Sequence, residues 1–283
     1  MPIEKNEKSL VITTESVRPV NHRWYGAHIT SWQVDGKERL FLSSKAVMDG
    51  SKPIRGGIPI CFPIFSAPPS SPPEYAALKQ HGFARTLTWT LDHVVMDRSE
   101  GVSVRLLSGP PPAEFKHDYR LSYVVTLAKH QLSTDLHIVN TSKSEDFKFQ
   151  ALLHSYLAVP DAKKVKIVGL DKGTEYIDKE LDFKRETWEG GDLAMDKATD
   201  RVYQNLKTKE LKVDNGDGSG LNVRWREFVD CTIWNPSEGG RSMPDMEEGG
   251  WDRYVCVEPG YVHEFKTLKP GEEFLAQQVI SIA

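Results

Sequence analysis

The chain has 283 residues, 39% of them hydrophobic and 27% charged, with a net charge of −4. This is the balance of a soluble globular protein, and it gives no electrostatic reason to bind nucleic acid or an anionic membrane. No apolar run reaches the roughly 20 residues of a membrane-spanning helix, and residues 1–8 have no signal-peptide core.

In chain order, a proline-rich loop at residues 67–73 precedes the best helix candidate, residues 74–80. Short alternating or β-branched runs then dominate. Residues 86–91 and 102–107 are two of them. After a second proline-rich loop at 109–112, residues 121–127 and 132–139 read as a hairpin through Lys129-His130-Gln131. Residues 211–213 and 221–225 form another, around Asn215-Gly216-Asp217-Gly218. An acidic, glycine-containing loop covers 245–250. The C-terminus adds 264–268, a Lys269-Pro270-Gly271 turn and 274–280. No long helical period or fixed repeat appears, and no segment reads as an interdomain linker. The expectation is one all-β domain over residues 1–283, a large antiparallel sandwich with few short helices. An open cleft on a sheet face suits a sugar.

Cys61, Cys231 and Cys256 are odd in number, lack metal-ligand spacing and sit beside apolar residues. They read as buried, reduced thiols, which places the chain in the cytoplasm. The segment 214–218 faintly resembles a calcium loop but lacks its acidic third position and the Glu at the twelfth, so it reads as a turn. Trp89, Trp225 and Trp234 read as core.

Two ionisable residues stand out within apolar strand-like runs: His154 in Leu152-Leu153-His154-Ser155-Tyr156-Leu157, and Glu258 in Tyr254-Val255-Cys256-Val257-Glu258-Pro259-Gly260. Such groups are excluded from a core unless something pairs with them. One is a natural proton donor near neutral pH, the other an acceptor. Upstream, Arg55-Gly56-Gly57-Ile58-Pro59 and Gln80-His81-Gly82-Phe83-Ala84-Arg85 place two arginines in glycine-containing segments. An acid, a base and an anion clamp point to proton transfer on a small anionic molecule.

At these residues the chain resembles the aldose 1-epimerase (mutarotase) superfamily, in particular its hexose-6-phosphate branch. The resemblance is carried in order by Tyr25-Gly26-Ala27, Ser31-Trp32, the run from Asp49 to Pro59, Gln80 to Arg85, Leu153-His154-Ser155-Tyr156, Thr199-Asp200-Arg201-Val202-Tyr203, Trp234-Asn235-Pro236 and Val257-Glu258-Pro259-Gly260. It implies a galactose mutarotase-like supersandwich with the site on a concave sheet face. It makes His154 and Glu258 the catalytic pair, and Arg55, Gln80, Arg85 and Asp200 substrate contacts, with the arginines toward the phosphate. His81 falls in the same cleft. The implied partner is a small sugar phosphate; the chemistry requires no metal or organic cofactor, and nothing in the sequence demands more than a monomer. Three positions depart from the family pattern: Ser66 where Gly is usual, Ser155 for a common Thr, and Ser237 where an aromatic is common.

The implied chemistry is opening and reclosing of a hemiacetal ring. Glu258 removes the proton on O1 and His154 delivers one to the ring oxygen, from opposite sides of the reacting bond, with a bell-shaped pH profile. A mutarotase for unphosphorylated sugars and a non-catalytic sugar-binding module remain open at this stage.

Overall fold

The structure is a computed structural model that describes residues 3–5, 9–14 and 17–283. Residues 1, 2 and 6–8 of the stretch read for a signal core lie outside it. Two large antiparallel sheets dominate. The outer sheet has nine strands in the order Leu193–Ala194, Lys166–Val168, Glu210–Asp214, Gly220–Arg226, Glu273–Ile282, Gln131–Asn140, Tyr119–Ala128, Gly101–Ser108 and Trp89–Arg98. The inner sheet runs Lys184–Thr187, Glu175–Asp178, Thr199–Tyr203, Asp230–Asn235, Tyr254–Leu268, Phe147–Leu153 and Ile60–Cys61, and Tyr156–Ala158 also pairs with Tyr254–Leu268. The N-terminal strands Ile3–Lys5, Ser9–Thr14, Val17–Arg23 and His28–Ser31 form a smaller sheet. The all-β expectation holds. Among the described residues, no helix is long and apolar enough to cross a membrane.

Period-two alternation explains how these strands pack. In Tyr254–Leu268, Val255 and Val257 enter the main core, with Ile233, Ala151 and Leu153 of the neighbouring strands. The inner face of the outer sheet supplies Val104, Tyr123, Leu136, Val223, Ala276 and Ile280 to the same core. Tyr254, Cys256 and Glu258 therefore emerge on the opposite face, and they are buried as well, because loops cover that face. Two small apolar clusters floor it: Tyr156, Tyr254 and Cys256 with Trp251, and Cys61, Leu152, Val202 and Val262.

Both predicted hairpins form. Tyr119–Ala128 pairs with Gln131–Asn140, and Glu210–Asp214 with Gly220–Arg226. The turn at 214–218 is closed by its own side chains: Asp214 Oδ1 accepts from the Gly216 N–H and Asp217 Oδ1 from the Ser219 N–H. The predicted helix shrinks to Pro73–Ala76. Prolines set its start, but four residues leave no interior helical bonds to extend it. All three cysteines are free and buried.

Candidate active site

His154 and Glu258 meet through strand register. Leu152 faces Gly260 and Tyr156 faces Cys256 across the same pair of chain segments. Carrying that register through the gap between the two strands sets His154 opposite Glu258. At His154 the chain leaves its neighbour: its N–H donates to the Pro59 carbonyl, and the Tyr156 N–H to the Gly57 carbonyl. The Arg-Gly-Gly-Ile-Pro segment is thus the strut that holds the break open. Gly57 needs a left-handed backbone, with φ of +64°, and a Cβ there would lie 2.1 Å from the Ile29 carbonyl oxygen. Its N–H donates to the Phe41 carbonyl, so it is spent on a turn.

His154 Nδ1 lies 3.0 Å from Glu258 Oε1. The contact is off the hydrogen-bond line, and Nδ1 and Oε2 are left buried without hydrogen-bond partners. The imidazole stacks on Tyr156, centroids 4.6 Å apart and planes 11° from parallel, and Trp234 stands nearly perpendicular beside that stack, its centroid 5.6 Å from the imidazole and 5.8 Å from the Tyr156 ring. Both groups are almost wholly buried, at 8% and 1% exposure. Burial, reinforced by Arg85 and Arg55, holds His154 well below its ordinary value, and burial pushes Glu258 well above the usual carboxylate range. Desolvation outweighs the attraction between the two, so the neutral forms are favoured. The sequence reading places acid and base on opposite sides of the reacting bond; here they stand side by side.

The pair borders a cavity of about 600 Å³, which Arg55, Gln80, His81, Arg85 and Asp200 also line. The volume is in the range of small-ligand sites. The seven candidate site residues read from the sequence therefore line one cleft. Arg55 is fixed twice: Nε donates to Asp245 Oδ1 at 3.1 Å and NH1 to the Tyr156 hydroxyl at 3.0 Å. Arg85 donates from NH2 to the Gln80 carbonyl at 2.8 Å, its Nε is buried without a partner, and among the described residues no carboxylate pairs with it. Gln80 contributes this backbone oxygen while its side chain is exposed. His81 Nδ1 accepts from the Ser66 N–H at 3.2 Å, which leaves its proton on Nε2. Burial, Arg85 and His154 push its pKa down to about 2. Asp200 lies 3.2 Å from Lys179 Nζ, and burial raises its pKa.

The departures from the family pattern acquire explanations. Ser66 has φ of +64°, the region glycine occupies without cost; its N–H donates to His81 Nδ1 and its carbonyl accepts from the His81 N–H. Ser155 turns away from the cleft and donates to Gln278 Oε1 at 2.9 Å. Ser237, with φ of +49°, uses its N–H to bond Asn235 Oδ1.

Residues that the sequence reading missed are Tyr156, Lys179, Asp245, Phe65 and Phe183, all of which line the cavity. Trp234, read as core, lines it too. Tyr156 was accessible in principle, two positions from His154 and so on the same face. Lys179 and Asp245 carry no local signal. His154, Cys256 and Glu258 place one potential metal ligand each within 4.8 Å of one another. Burial lifts the Cys256 thiol well above its ordinary value, and the cations Arg55, Arg85 and Lys179 around the cleft oppose a divalent ion.

A sequence-family model described as aldose 1-epimerase matches residues 10–281. The chain belongs to the aldose 1-epimerase family. Among its relatives in that family, a protein from Cenchrus ciliaris named "Putative glucose-6-phosphate 1-epimerase" is 32% identical over 91% of this chain and 79% of its own length. A protein of the same name from Escherichia coli (strain K12) is 31% identical over 97% and 90%. The crystal structure of "a putative mutarotase (YeaD)" from Salmonella typhimurium superposes with a TM-score of 0.86 at 27% identity, covering 99% of this chain and 92% of that one. A galactose mutarotase-like protein from Lactobacillus casei ATCC 334 shares the fold, with a TM-score of 0.69 at 16% identity and 99% coverage of both chains. For an aldose epimerase, the substrate class is a small sugar, and the cleft described above is a polar one with aromatic walls.

Proposed function

We propose that this protein interconverts the α and β anomers of hexose 6-phosphates, glucose 6-phosphate above all, by acid–base ring opening and closure. The observation that carries the phosphate is Arg85. It is a guanidinium without an ion-pair partner, with a buried, unsatisfied Nε, in the same cavity as the acid–base pair. Buried donors without acceptors are costly, and a phosphate answers that need with the geometry a guanidinium prefers. An unphosphorylated sugar leaves the need unmet. The names of the curated relatives point to the same substrate.

The pair needs one transferable proton. In ring opening, the Glu258 carboxylate takes the O1 proton while the His154 imidazolium gives one to the ring oxygen. The bond from C1 to the ring oxygen breaks and C1–O1 becomes the aldehyde carbonyl. After rotation about C1–C2, the ring oxygen attacks C1 from the other face, His154 recovers its proton and Glu258 returns the other to O1. Burial holds His154 deprotonated, and Arg85 and Arg55 add to it. A bound phosphate offsets their charge, so substrate binding itself favours the imidazolium needed as acid. Asp200, with Lys179 beside it, serves as an acceptor for the sugar hydroxyls.

The magnitudes are consistent. An uncatalysed reaction taking hours has a barrier of roughly 23 kcal/mol. Each positioned acid or base contributes roughly 10²–10⁴-fold, and immobilising the sugar adds to this. The test is NMR exchange between anomers of glucose 6-phosphate and of glucose, with wild type and Arg85→Leu. The substitution is expected to raise KM for the phosphorylated sugar by roughly 10–10²-fold and to leave glucose nearly unaffected. Equal losses on both would remove the phosphate from the proposal.

A further inference from the structure

The connection between Glu175–Asp178 and Lys184–Thr187 reaches the cleft and is built in an unusual way. It opens with the 3₁₀ turn Lys179–Leu181, whose Lys179 sits beside Asp200. Its next two residues, Asp182 and Phe183, have φ of +54° and +61°. Aspartate tolerates that region; a bulky aromatic residue rarely enters it, because its Cβ crowds the backbone. No glycine relieves the turn. Phe183 lines the cavity, yet it is 62% exposed, the most exposed of the large hydrophobic residues described.

Neither burial nor local preference accounts for a left-handed, exposed phenylalanine at this place. Conformations of this kind persist where surrounding structure imposes them, and they gather at ligand sites. Phe65, also in the cavity wall, is already engaged: Lys179 Nζ lies 4.5 Å from its ring centroid and His81 packs beside it. Among the described residues, Phe183 has no aromatic or cationic partner over its ring. Tyr156 and Trp234, the other rings of the wall, are packed against His154, and the polar groups of the cleft answer hydroxyls and phosphate, whereas a pyranose also presents a patch of C–H groups. The electron-rich face of an aromatic ring is the surface that complements them.

We propose that Phe183 is a specificity-determining residue of the sugar subsite, packing its open ring face on the C–H face of the hexose while the arginines hold the phosphate. This rests on the hexose-phosphate reading above. Leu181, two residues earlier, is 54% exposed and does not line the cavity, so it is the natural control.

The experiment compares wild type, Phe183→Ala and Leu181→Ala by calorimetric binding of glucose 6-phosphate and of inorganic phosphate, with anomer exchange in parallel. Phe183→Ala is expected to weaken glucose 6-phosphate roughly tenfold, the loss of one ring contact. Inorganic phosphate affinity stays as in wild type, and Leu181→Ala matches wild type throughout. Unchanged sugar phosphate affinity in Phe183→Ala would overturn the proposal, as would equal weakening of both ligands or the same effect from Leu181→Ala. A wild-type chain that binds glucose 6-phosphate without exchanging its anomers would sink the enzymatic reading alone, and the affinities would still decide on Phe183. A wild-type chain that binds no glucose 6-phosphate would overturn both.

Discussion

Replacing Tyr156 by Phe removes a single oxygen atom from the centre of the cleft. That oxygen accepts from Arg55 NH1 at 3.0 Å, while the ring beneath it stacks on His154 at 4.6 Å. Burial keeps the phenol protonated, above its ordinary value. The substitution therefore separates two functions: it keeps the stack that orients the imidazole and frees one arm of the guanidinium. A hydrogen bond to a charged group is worth about 1.5–3 kcal/mol. Arg55 keeps its tie to Asp245, and water can reach the open cleft, so the lower end applies, about 1.5 kcal/mol, a little over tenfold. KM for glucose 6-phosphate is expected to rise about tenfold, with kcat within roughly threefold of wild type, because the ring contact survives. Exchange NMR at several substrate concentrations separates the two constants. A large fall in kcat at constant KM would refute the reasoning and place the phenol in proton transfer itself.

Glu258→Gln should abolish exchange and flatten the pH dependence of stability. Burial raises Glu258 well above 4.5, so the folded chain keeps a proton that the unfolded chain releases. The stability this proton confers is complete below pH 4.5 and declines, by up to about 1.4 kcal/mol per pH unit, as pH rises through the folded value. Thermal melts should show the variant gaining on wild type from pH 4.5 upward; parallel curves would contradict this. His81 is the reverse case, lowered from 6.5 to about 2. Its contribution is present above pH 6.5 and lost as pH falls toward 2. His81→Asn, which tolerates the left-handed backbone, should resist acid better than wild type by up to about 1.4 kcal/mol per pH unit, as read from urea midpoints between pH 4 and 7. Gly57→Ala drives a Cβ to 2.1 Å from the Ile29 carbonyl oxygen and 2.6 Å from His28 Nε2. It should cost about 4 kcal/mol in denaturant melts; a loss under 1 kcal/mol would mean that the strut yields easily.

The strands were legible where alternation was strong and turns were marked. The hairpin read at 211–213 and 221–225 is found as Glu210–Asp214 and Gly220–Arg226, because Leu211, Val213, Leu221, Val223 and Trp225 all point to one core. The edge strand Lys184–Thr187 was not, since its charged residues suit a sheet edge and carry no apolar period. In the site, His154 and Glu258 were visible as ionisable groups in apolar runs. Their meeting follows from strand register, which sequence does not print. Asp245 and Arg55 are 190 residues apart, and nothing local at either position announces the pair. Phe183 was hidden for another reason: its significance lies in a backbone conformation that its residue type disfavours.

The most direct test of the account is the rate of anomer exchange on glucose 6-phosphate for wild type, His154→Asn and Glu258→Gln, with ligand affinity measured on the same samples. The account predicts rapid exchange by wild type and a loss of 10²-fold or more in each variant. Affinity should be retained within a few fold, and the double variant should be little worse than either single one, as befits groups that act together. Either variant exchanging at the wild-type rate while binding normally would contradict it.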